Sequence, residues 1–124
     1  MSEAKPQKRF DLEERTLAFA QAVRAFVRQL PQTLSNVEDV KQVVRASGSA
    51  DANYIEANEA LSKKDFVMRI KICRKEAKES GFFLRLLCAA DKKELETTRA
   101  ALSQEAAELT SIFGAIVRKT EGNQ

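Results

Sequence analysis

The sequence predicts an all-α chain folded as a single antiparallel, up-down-up-down four-helix bundle. Its 124 residues include only four Gly and two Pro, too few for a turn-rich β-sandwich, and 44% are apolar against 31% charged, enough for one core and no second domain. Apolar residues recur at three- and four-residue steps in four successive stretches, the period of amphipathic helices. Short connections separate those stretches, and short connections set consecutive helices antiparallel.

Residues 1–10, with Lys5, Lys8 and Arg9 and little apolar content, read as a flexible basic segment ahead of a bundle domain over 11–119. The first helix starts near Asp11. Its Leu12, Thr16, Phe19, Val23, Phe26 and Leu30 share one face until Pro31 stops it. Ser35 with Glu38 three residues later is a capping-box signature for the second helix, whose Val37, Val40, Val44, Ser47, Gly48, Tyr54, Ile55 and Leu61 cluster in one arc. Ser47 and Gly48 lower helix propensity but let a neighbouring helix approach closely. Ser62 with Asp65 repeats the start signal and opens a third helix over 63–89, with a seam of Phe66, Ile70, Cys73, Ala77, Ser80, Leu84 and Leu87. Asp91 with Glu94 opens the fourth, carrying Leu95, Thr98, Leu102, Ala106, Leu109, Phe113 and Ile116 on one face, before residues 120–124 fray.

Several chemistries lack their residues. The chain has no His, which removes the commonest general base near neutral pH and the commonest transition-metal ligand. Cys73 and Cys88 read as reduced core thiols on one helix, about 22 Å apart along its axis and too far for a disulfide. There is no P-loop, no GxGxxG turn and no CxxC pair. The protein is therefore not expected to be an enzyme, and no catalytic residue, cofactor or metal site is expected. No apolar run approaches the ~18 residues of a membrane span and the first ten residues hold no hydrophobic signal core, so a cytoplasmic protein without membrane contact is expected.

The third helix carries the clearest signals of partnership. Residues 63–90 hold eight Lys and Arg against three Asp and Glu, whereas 31–62 hold two against five. Lys63, Lys64, Arg69, Lys71, Arg74, Lys75, Lys78 and Arg85, with Arg15, Arg24 and Arg28 of the first helix, form a candidate surface for phosphate. Met68, Ile72, Phe82, Phe83 and Leu86 fall roughly 100° to 200° from the core seam, so a second apolar flank is expected to rest on another copy of the chain.

Gln42 is followed by Arg45, Ser47, Ser49, Asn53 and Glu56 in the pattern RxSxSxxxNxxE, then by SKKDF over 62–66 and KEAKESGFFL over 75–84. This stretch resembles the four-helix-bundle proteins encoded in 23S rRNA intervening sequences, the S23 family, and through them the accessory protein of diversity-generating retroelements. Ala57 stands where many members have Gly, and Phe83 where Trp is common. The resemblance implies a ring-like homopentamer and makes binding of RNA or DNA, or of a protein encoded nearby, reasonable. It supplies no enzyme activity. Arg45, Ser49, Asn53 and Glu56, at steps of four, four and three, line one arc of the second helix. Two readings of them stand side by side: a polar network that fixes helix register or the subunit contact, with Glu76 as partner for Arg45, and a direct contact to nucleic acid.

The expected function is thus a non-enzymatic homo-oligomeric bundle that binds RNA or DNA through a basic surface with little sequence preference. The alternative is an interaction module for a neighbouring gene product.

Overall fold

The structure, a computed structural model, describes residues 12–122, so the basic segment expected over 1–10 lies outside the described residues. Four helices follow in order: α1 Leu12–Val27, α2 Leu34–Asn58, α3 Lys63–Leu86 and α4 Lys93–Gly122. Among the described residues there is no strand. Each helix packs on its neighbours in sequence and α1 meets α4, which closes the bundle.

The first helix is as its periodicity predicts. Leu12, Thr16, Phe19, Val23, Phe26 and Leu30 are all buried, and the chain leaves α1 through a tightened last turn in which Leu30 N–H donates to the Val27 carbonyl at 3.2 Å. The second helix differs. Its N-cap is Thr33, whose hydroxyl accepts from Asn36 N–H at 3.1 Å, so Ser35 lies inside the first turn and does not cap it. Its core line is also rotated from the valine arc. Ala46, Ala50, Ala57 and Val43 are at most 2% exposed, while Val37 and Ile55 are about two-fifths exposed and Leu61 lies in solvent. The reason is closeness: α2 is wedged between α1 and α3, and methyl side chains face the tight interfaces while larger ones flank them.

α3 starts as predicted, with Ser62 Oγ accepting from Asp65 N–H at 3.0 Å, but ends at Leu86, short of 89. Residues 87–89 continue as non-helical chain that buries Leu87 and Ala89 and turns Cys88 outward. Cys88 is therefore neither helical nor a core thiol. Cys73 is fully buried, and burial pushes its thiol up to about 12, helped by the nearby charge of Asp51.

The connection to α4 passes through Ala90 and Asp91, both with positive φ, so Asp91 forms the turn and does not cap a helix. On α4, Leu95, Leu102, Ala106, Leu109, Phe113 and Val117 are buried. Thr98 is exposed, its hydroxyl bonded back to the Glu94 carbonyl at 3.0 Å, and the helix runs on through 120–122 where fraying is expected from the sequence.

One buried polar residue ties the connections together. Asn36 is 1% exposed; its amide donates to the Pro31 carbonyl at 2.9 Å and to the Cys88 carbonyl at 3.0 Å, while its oxygen accepts from Cys88 N–H at 3.0 Å. A single side chain thus satisfies three backbone groups that no helix serves.

Candidate nucleic-acid interface

Basic residues fall into two groups once their partners are known. Arg15 grips Glu105 with Nε at 2.7 Å and Nη2 at 2.8 Å, and also reaches Glu108 at 2.7 Å, which fastens α1 to α4 and raises the guanidinium above its ordinary pKa. Arg24 donates to the Ala20 carbonyl at 3.0 Å and the Val44 carbonyl at 3.2 Å. Gly48 makes room for it, since a Cβ there would lie 3.1 Å from Arg24 Nη2. The glycine therefore admits a side chain, where the sequence suggests a close helix backbone. Arg69 donates to Asn53 Oδ1 at 2.9 Å, Lys71 pairs with Glu121 at 3.1 Å, and Arg74 lays its stem over Gly114. These five candidates spend part or all of their charge holding helices together.

Lys63, Lys64, Lys78, Arg85 and, beyond α1, Arg28 are exposed and have no acidic partner among the described residues. Lys75 is exposed with a loose 3.8 Å approach to Glu76. On α3 the exposed positions Lys64, Met68, Lys71, Lys75, Lys78, Phe82 and Arg85 follow one another at steps of four and three. At 100° per residue they stay within an arc of about 100° and extend for roughly 31 Å along the helix. No acidic residue lies in this stripe. Phe82 is 48% exposed, its ring edge-to-face with Phe83 at 4.9 Å and 74°.

The polar residues of α2 divide into two clusters. Arg45 reaches Glu76 at 3.4 Å and Glu79 at 2.6 Å, and the paired carboxylates raise its pKa, the Glu79 hydrogen bond contributing most. Glu79, three residues beyond Glu76 on the same face, is the partner that sequence spacing could have supplied. Asn53 donates to Ser49 at its carbonyl and hydroxyl, 3.0 and 3.2 Å away, and accepts from Arg69. Glu56 is exposed and joins neither cluster among the described residues. Both clusters bind α2 to α3, as the network reading requires, but they are not one connected stripe.

The five apolar residues offered for self-contact also separate. Met68 and Leu86 are about half exposed, as is Phe82, whereas Phe83 packs against the core and Ile72 is half-buried. Larger exposures were missed: Leu34 is 93% and Leu61 99% exposed. Among the described residues no three His, Cys, Asp or Glu side chains gather to hold a metal ion, and no helix is long and apolar enough to cross a membrane.

No family model matches the chain, and no curated protein matches it. A solved structure does. It is a Bacteroides thetaiotaomicron protein of unknown function from the S23 ribosomal protein family, 24% identical, with a TM-score of 0.71 over 86% of this chain and 98% of that one. The four-helix fold implied by the resemblance of residues 42–87 is the fold this chain shares with that S23 family protein.

Proposed function

We propose that this protein is a non-enzymatic, self-associating four-helix bundle that binds RNA or DNA along the exposed stripe of α3. The observation that carries the reading is the run of cations from Lys64 to Arg85, with no acidic side chain among them and with Phe82 set between Lys78 and Arg85. A carboxylate within the run would repel the backbone of a nucleic acid; here the acids of α3 point elsewhere, Glu76 and Glu79 being taken by Arg45. Contacts of Lys and Arg to phosphate carry no base code, so sequence preference is weak.

Successive helices are antiparallel in this reading. The pairings of Arg45 with Glu76 and Glu79, and of Asn53 with Arg69, support it, because the α3 partner moves back along the chain as the α2 residue moves forward. Self-association uses Met68 and Leu86 together with Leu34 and Leu61, whose exposure is costly for a lone bundle. Five copies is the number implied by the resemblance. A ring of copies gathers the stripes into one field and raises local affinity for a polyanion.

Fluorescence anisotropy of a labelled single-stranded RNA, titrated from low to high salt, tests the binding. The expected result is an affinity that falls steeply, with a log–log slope of about −0.7 for each phosphate neutralised. Undetectable or salt-insensitive binding contradicts the reading, and retention of a protein partner after nuclease treatment would favour the interaction-module alternative.

A further inference from the structure

Next to Phe82, α3 and α4 come together over small residues. A Cβ added at Gly81 would lie 3.3 Å from the Cβ of Ala106, so neither helix can place a side chain in the crease between them. A groove of about 370 Å³ results. Ala77, Gly81 and Ala106 form its floor, Phe82 stands on its α3 side between Lys78 and Arg85, and Ser103 lines its α4 side. The Ser103 hydroxyl is buried and has no hydrogen-bond partner. Buried hydroxyls are almost always paired, so this one is available to a ligand that brings its own polar edge.

We infer that this groove holds one unpaired base of a single-stranded nucleic acid, stacked on Phe82 and hydrogen-bonded at its edge by Ser103. Lys78 and Arg85, four residues before and three after Phe82, then take the phosphates on either side of that nucleotide. A ring held at its edge by Phe83 and half open to water offers a stacking face without losing rotamer freedom on binding. The chemistry excludes a duplex from the groove, because a paired base cannot leave its stack without an unpairing cost that one aromatic contact does not offset. This inference rests on the proposed nucleic-acid binding and refines it from polyanion to single strand.

The test is a pair of anisotropy titrations, with a labelled single-stranded oligo-uridine and a labelled RNA duplex of equal length, against wild type, Phe82→Ala, Phe82→Trp, Phe82→Leu and Ser103→Ala. Sedimentation velocity is run on each variant. The expected result is a loss for Phe82→Ala of roughly five- to a hundred-fold on the single strand. Duplex affinity is unchanged in that variant. Trp at 82 restores binding and Leu does not, because an aliphatic side chain fills the same space without a stacking face. Ser103→Ala weakens the single strand to a smaller degree. Equal effects of Phe82→Ala on strand and duplex, rescue by Leu, or a change in solution mass showing that Phe82 is a contact between copies would each overturn the inference while leaving backbone binding intact. Failure of wild type to bind either RNA would overturn the proposed function along with it.

Discussion

At the scale of single residues, three side chains hold positions that their types do not announce. Asn36 is an ordinary polar residue in the sequence, yet its amide closes the two connections at one end of the bundle against each other. Replacing it with Ala strands buried backbone groups of Pro31 and Cys88, each costing about 1–3 kcal/mol. Urea unfolding of Asn36→Ala should therefore show a stability loss of at least about 2 kcal/mol with an unchanged slope, and a loss near zero would mean that water serves those groups equally well. The two thiols make a second prediction. Cys88 is exposed, whereas Cys73 is buried and its thiol is pushed up to about 12. At pH 8, a thiol reagent should modify one cysteine per chain quickly and the other only at the rate of opening, and Cys88→Ser should abolish the fast phase. Sequence alone put both thiols on one helix. The short extended stretch after Leu86 separates them, and nothing in the apolar pattern at 84, 87 and 89 distinguishes a helix end from a continuing helix.

At the scale of elements, legibility depended on side-chain size. α1 buries large residues at regular steps, and every one of them could be read from the sequence. α2 buries alanines, and alanine is as common on helix surfaces as in tight interfaces, so the eye follows the valines to the wrong side. Ala50 is 1% exposed. Ala50→Leu is expected to cost about 1–3 kcal/mol by overpacking, whereas Val37→Lys, at a position 39% exposed, should be close to neutral in thermal unfolding. The link between α1 and α4 has an acid-sensitive component. Glu108 is held below its ordinary 4.5 first by the Gln104 amide and then by Arg15. A carboxylate whose folded pKa is depressed adds stability above its unfolded value and loses it as the pH falls through the folded one. Stability should therefore decline as the pH drops below about 4.5, with a shallow slope because the group lies in solvent, and Arg15→Met should flatten that part of the curve. An unchanged slope would assign the acid sensitivity elsewhere. Of the candidate cations, those on α3 were legible because they recur with the helix period. The commitment of Arg15 and Arg24 to α4 and α2 was not, since their partners lie tens of residues away in the chain.

At the scale of the whole molecule, charge and apolar exposure are distributed together. The bundle keeps its acids near its own arginines and leaves lysines, one arginine and an aromatic along one edge, so that the outward field is positive although the net charge is only +3. Exposed Leu34, Leu61, Met68 and Leu86 provide apolar area for a second copy. Sedimentation equilibrium should give about five times the 13.9 kDa of one chain, and Leu61→Glu with Leu86→Glu should lower it; a single-chain mass in the wild type would remove self-association from the account. The resemblance of residues 42–87 pointed to the fold, and the solved S23 family structure shares it, but oligomeric contacts are spread over positions that sequence alone assigned unevenly.

The most direct test of the central claim compares two triple variants of equal charge change in the same RNA titration at fixed salt. Lys75→Glu, Lys78→Glu and Arg85→Glu remove the stripe, while Lys92→Glu, Lys93→Glu and Lys119→Glu alter exposed lysines elsewhere. The account predicts that the first triple abolishes binding and lowers the salt slope by about one unit per residue replaced, while the second keeps most of the affinity. Equal losses in both would show that RNA responds to net charge alone and that the α3 stripe is not a binding surface.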